Sequence, residues 1–307
     1  MSSTLTEASA TRPGLHPALK LVAFVVTVVI GGALLAPPLY YAAQWGLRVG
    51  FLPDALAGFK FPKYVTRAML VVALALIWPL VKWLGISSRA ELGLERDPRW
   101  AIRFGLGLAK GALGLALVGV LLVALGFATW RDPLPWHRLL EAAATGITVA
   151  VIEEWTFRGI IFGLVRRSQP WPKALVIVSL VFAVLHFVRA PLVAPQVEEI
   201  HWWSGLALVP AHFWQFGEPV LLIGSLPTYF LVGATLAYTV VQTKSLAFAI
   251  GLHAGWVFAL RGFGFLSRRV GEPTVWLGRD LISGIIPALL VALTWFLLVL
   301  MFRRRRI

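Results

Sequence analysis

The chain contains no cysteine and no asparagine, and it carries little charge. Without cysteine there is no disulfide, no thiolate nucleophile and no Cys-ligated metal. Without asparagine, the possible side-chain amide donors are glutamines such as Gln215 and Gln242, neither of which has matching placement. Charged residues make up only 14% of the chain, against ~25% in soluble domains. Hydrophobic residues make up 59% and the mean hydropathy is +0.81, which points to a multi-span membrane protein rather than a soluble enzyme with one anchor. Acidic residues are scarce: 14 against 28 Lys and Arg, a net charge of +14. The cations lie between and beyond apolar runs, as in Arg303–Arg306. That is the placement of topology determinants at a membrane surface, and it argues against a nucleic-acid partner.

What is present is a series of apolar runs of spanning length. Eight are expected, at about 20–46, 65–84, 103–129, 138–165, 173–190, 219–241, 245–262 and 280–302. The fold class is therefore all-α, a polytopic membrane helical bundle of about eight transmembrane helices. Residues 1–18 read as a polar, disordered tail, 19–302 as one transmembrane domain with its motif-bearing core at about 138–262, and 303–307 as a basic tail. The first apolar run is too long for a signal-peptide core and is read as retained. Pro37-Pro38 is expected to kink or break the first helix. Gly107-x-x-x-Gly111, with Gly114 nearby, predicts a close helix crossing. Lys110, two turns into the third run, is expected to snorkel to the surface. An even number of spans puts both termini on one side, and the cation bias makes that side the cytoplasm. The composition, rich in Ala, Leu and Arg, suits a GC-rich prokaryotic genome and hence a prokaryotic cytoplasmic membrane. The Trp-rich segment 191–218, with Glu198, Glu199, His201 and His212, reads as an interfacial or re-entrant loop, with a substrate lid as the sharper alternative.

Against this background the stretch VIEEWTFRGIIF at 151–162 is anomalous. A charge at the centre of a spanning helix costs roughly 2.5–3.5 kcal/mol on insertion scales. Glu154 and Arg158, at i and i+4, share a face and can pair. Glu153 points about 100° away and is left to find a partner on another helix, or a function. Two of the six histidines, His186 and His253, fall in other apolar runs. Measured from the flanking cations Arg166, Lys173 and Lys244, Glu153 and His186 lie roughly 20 Å deep and His253 roughly 14 Å. A carboxylate beside two imidazoles can act as a general base on water, or the three can ligate zinc with a fourth position open. Ordinary interhelical hydrogen bonding and a structural ion-pair network are the plainer readings.

The same residues resemble the CaaX prenyl protease and bacteriocin-processing family of membrane proteins. Glu153, Glu154 and Arg158, followed by Gly159, match its Glu-Glu-x-x-x-Arg motif; Phe182 and His186 match Phe-x-x-x-His; His253 matches the first residue of His-x-x-x-Asn. The three occur in order on separate runs across about 150–260. The resemblance implies an intramembrane endopeptidase of about eight helices. It makes Glu153 the base, His186 its partner in activating water and His253 a stabiliser of the oxyanion, with Glu154, Arg158 and Phe182 in support. Val257 stands where the family has asparagine, so one oxyanion donor is missing, a loss of roughly 10²–10³ in rate elsewhere. The cofactor is none, or zinc on Glu153, His186 and His253. The expected partners are the lipid bilayer and a membrane-associated or lipid-anchored peptide or protein; nothing in the sequence selects a prenyl chain or an oligomeric state. The competing functions are a non-catalytic relative acting as a scaffold or immunity-type binding protein, which Val257 favours, and a proton-coupled transporter.

Overall fold

The computed structural model describes residues 17–88, 91, 97–188, 199–272, 274–277 and 281–304. The polar N-terminal stretch, Arg189, Glu198, Arg279 and the basic residues after 304 lie outside them. The described chain is almost wholly helical: α1 (Pro17–Arg48), α2 (Phe61–Trp83), α3 (Trp100–Ala124), α4 (Arg138–Glu154), α5 (Phe162–Arg166), α6 (Trp171–Leu185), α7 (Ser204–Leu208), α8 (Pro219–Thr243), α9 (Ala247–Leu266) and α10 (Ile285–Arg304). Its one sheet is a two-stranded antiparallel ribbon of β1 (Ala128–Trp130) and β2 (Ser267–Arg269). α1, α2, α3, α8, α9 and α10 are long and apolar enough to cross a membrane, and the protein is an integral membrane protein. The other two expected spans are also helical but differ from expectation. The segment 138–166 is α4 and α5 joined through a π-helical stretch, Trp155–Ile161, and α6 stops at Leu185, shorter than the run 173–190.

Contacts divide the chain into two compact units. The first holds α1, α2 and α7. Its core is Ala36, Phe61, Val65, Ala68 and Leu208. Pro37 and Pro38 lie inside α1, which continues through them rather than breaking, a tolerance common in apolar helices whose freed carbonyls find other partners.

The second unit holds the remaining helices, and α9 is its organising element. In lipid there is no hydrophobic drive between helices, so van der Waals contact sets their association and small residues let backbones approach. Gly107 and Gly111 of α3 lie against the α9 backbone at Phe248 and Leu252; Gly251 and Gly255 of α9 lie against Phe104 and Leu108. On another side of α9, a Cβ at Gly146 of α4 would fall 2.8 Å from the Ala254 carbonyl oxygen. α8 approaches α6 through Gly233, whose Cβ would sit 3.1 Å from the Ser179 Cα. Phe157, Phe162, Leu175, Val178 and Phe182 fill the space between α5, α6 and α8. Glu91 is tied to Arg167 at the end of α5, and that hydrogen bond, with those of Ser87 and Ser88, holds its carboxyl at about 2.

Candidate active site

Three helices of the second unit deliver polar side chains to one place: the end of α4, the end of α6 and the middle of α9. Glu153 Oε2 lies 3.8 Å from His186 Nε2 and 3.9 Å from His253 Nε2. The structure thus brings together the three side chains that the sequence placed at similar depth. His186 sits just past the last turn of α6 rather than within a span. There the Phe182 carbonyl accepts from the His186 backbone N–H at 3.3 Å and also lies 2.7 Å from His186 Nδ1. A carbonyl only accepts, so Nδ1 carries the proton and Nε2 faces Glu153 as a lone pair in the neutral ring.

His253 is fixed in the same sense by a different group. Its Nδ1 lies 2.8 Å from Glu154 Oε1, and that oxygen also accepts a 2.8 Å bond from Arg158 Nη1. Arg158 Nη2 in turn donates to the Gly233 carbonyl at 3.0 Å. Its guanidinium lies 4.5 Å over the Phe182 ring, a cation–π contact. The two adjacent glutamates therefore occupy different environments. Glu154 and Arg158 have fully buried side chains, whereas those of Glu153 and His186 are 28% and 19% exposed. The sealed pair braces; the other two side chains are partly exposed, although the Glu153 Oε2 that faces the imidazoles is itself buried.

Sequence reasoning found Glu153, Glu154, Arg158, Phe182, His186 and His253, but it missed two features. One is the Glu154–His253 bond: once Arg158 supplied an i+4 partner, nothing called for a second. The other is Tyr229 of α8, buried and packed on the His186 ring with centroids 4.6 Å apart. Its only signal was a tyrosine within an apolar run. Val257, one turn beyond His253, supplies no polar group.

The donor types suit zinc: two imidazoles with Nδ1 held by acceptors and one carboxylate. Their spacing does not. Metal–ligand bonds of 2.0–2.2 Å in a tetrahedron imply N···O edges of about 3.4 Å, shorter than the 3.8 and 3.9 Å found. Among the described residues no three His, Asp or Glu side chains are grouped as an ion would require. No step below passes through a metal.

Residues 135–259 match the family model described as Type II CAAX prenyl endopeptidase Rce1-like. The match spans α4 to most of α9 and so contains every residue of the site. Comparison with curated proteins and with solved structures gives no match.

Proposed function

We propose that this protein, whose residues 135–259 match the Type II CAAX prenyl endopeptidase Rce1-like model, is an intramembrane endopeptidase acting on a membrane-associated or lipid-anchored protein. The observation that carries the reading is the position of one carboxylate oxygen between two inward imidazole nitrogens, at 3.8 and 3.9 Å. Those separations are too long for direct hydrogen bonds and suit a single water that bonds the carboxylate and an imidazole together.

In the reaction, Glu153 and His186 hold and polarise that water. As its oxygen bonds to the scissile carbonyl carbon, its proton passes to Glu153. The carbonyl oxygen becomes an oxyanion. His253, protonated at Nε2, donates to it, while Glu154 accepts from Nδ1–H and balances the positive charge on the ring. Glu153 then returns the proton to the leaving amine as the C–N bond breaks, and the base is regenerated. The CAAX prenyl substrate is the one that the family's name suggests; both termini are placed on the cytoplasmic side.

The test is cleavage by purified protein carrying Glu153→Gln. Because Glu153 is partly exposed and outside the buried brace, the variant should fold with an unchanged melting temperature. It should lose roughly 10²–10⁴-fold in kcat, the usual contribution of a general base. Turnover equal to wild type would overturn the assignment. Val257 favours a second reading, a folded relative that binds its partner without cutting it. That reading requires that Glu153→Gln leave the cellular phenotype intact where deletion of the chain does not.

A further inference from the structure

At the end of the second unit where α10 terminates lies a cavity of about 420 Å³. α3 lines one wall with Arg99, Arg103, Leu106 and Lys110; Phe248 of α9 and Phe302 of α10 are among the others. The four α3 residues fall at i, i+4, i+7 and i+11, the spacing of a single helix face. No acidic side chain is among the described residues that line the cavity. Arg103 is already committed, to Asp97 at 2.9 Å and to the Thr243 carbonyl at 2.9 Å. Burial raises the Asp97 pKa, but hydrogen bonds from Ser245, the Arg99 backbone N–H and Arg103 outweigh it, so Asp97 stays ionised and neutralises Arg103. Arg99 and Lys110 have no carboxylate partner among the described residues, and both are exposed.

Lys110 is the informative residue. It sits about 16 Å along α3 from Arg99, well inside an apolar span, with exposed Leu106, Leu113 and Leu117 on the same helix. Its side chain leans toward the helix N-terminus, as helical side chains do, and so toward Arg99 and Arg103. Cations lining a chamber with apolar walls form a surface for a group that is anionic at one end and hydrocarbon at the other. A basic pocket between spanning helices is a general mode of phospholipid headgroup binding.

We propose that this cavity is a binding site for an anionic phospholipid, its phosphate held by Arg99 and Lys110 and its acyl chain lying along Leu106 and the aromatic walls. The site is separate from Glu153, His186 and His253 and does not depend on the reaction proposed above. The experiment uses the full chain purified in detergent, titrated with phosphatidylglycerol, phosphatidylcholine or inorganic phosphate while thermal unfolding and bound lipid are followed by native mass spectrometry. Phosphatidylglycerol is expected to raise the melting temperature and to remain bound, and phosphatidylcholine is not. Lys110→Gln should weaken phosphatidylglycerol binding about fivefold, the effect of one cation near a membrane surface. Lys82→Gln, which removes an equal charge from α2, should leave it unchanged. Equal binding of the two lipids, or equal effects of the two substitutions, overturns the proposal. Stabilisation by inorganic phosphate that matches and displaces phosphatidylglycerol also overturns it, because the site then takes a free anion and not a lipid.

Discussion

Glu154 is the residue whose role changes most between sequence and structure. At i−4 from Arg158 it looks like half of an intrahelical pair, and the structure retains that pair at 2.8 Å. The same oxygen also holds His253 Nδ1 at 2.8 Å, from a helix almost a hundred residues further on. In the proposed reaction this link makes the second glutamate a positioning residue for His253. It also bears on Val257. With no amide one turn from His253, the proposed oxyanion donor is a single ring nitrogen, and the orientation of that ring matters more. Glu154→Gln should therefore act twice. It removes the hydrogen-bonded countercharge of the buried Arg158 guanidinium and leaves only Glu153 nearby, a cost of up to about 3–5 kcal/mol, so the melting temperature should fall. It also removes the anion that orients His253 and balances its charge, so kcat of the protein that remains folded should fall at least tenfold with a smaller change in KM. Glu154→Asp, which keeps the charge on a shorter arm, should recover part of the stability and little of the rate. If Glu154→Gln lowers the melting temperature but leaves kcat per folded molecule intact, the residue braces the helix and nothing more.

At the scale of elements, the apolar runs predicted the six helices long enough to cross a membrane, and the helical character of the other two segments, because hydropathy in a membrane protein is a strong, local signal. Two features escaped for physical reasons. The π-helical stretch Trp155–Ile161 inserts one residue into a turn without altering composition, so no run length or periodicity registers it, yet it lies between Glu154 and the end of the helical segment. The early stop of α6 was hidden because Phe187 and Val188 continue the apolar run past His186; the helix ends all the same, and there the Phe182 carbonyl meets both the His186 backbone N–H and its Nδ1. The glycine spacing in α3 was legible, whereas its counterpart in α9, Gly251 and Gly255 around His253, gained meaning only from the crossing. That crossing gives a direct test. A side chain at Gly255 would meet the α3 backbone at Leu108 and, at 2.7 Å, Ala112 N. Gly255→Val should force α3 and α9 apart, lower thermal stability in detergent and reduce cleavage by displacing His253. Gly264→Ala, in the same helix with nothing within 4 Å, should be neutral or stabilise by up to about 1 kcal/mol. Equal behaviour of the two variants would mean that the close approach does not hold the site.

For the whole molecule, the remaining question is whether its stability and its chemistry share a dependence on a bound ion. A metal held by side chains from α4, α6 and α9 would join three helices, and its binding energy would appear as folding energy. The structure supplies other joints in the same region: the ion pair of Glu154 with Arg158, the bond of Glu154 to His253, the bond of Arg158 to the Gly233 carbonyl on α8, and the glycine contacts along α9. These link α4, α8 and α9 without any ion. The sequence pointed to the three potential ligands but could not choose between base and metal chemistry, because residue type and depth are common to both. The separations of 3.8 and 3.9 Å are wider than the edges of a tetrahedral zinc site, and the reaction proposed above takes the base with its water. Exhaustive chelation of the purified protein, followed by metal analysis, is therefore expected to leave both the melting temperature and kcat unchanged, while Glu153→Gln in the same preparation loses activity. A parallel fall in melting temperature and turnover on chelation, with recovery of both on adding zinc, would show that the three side chains close around an ion and that Glu153 serves as its ligand.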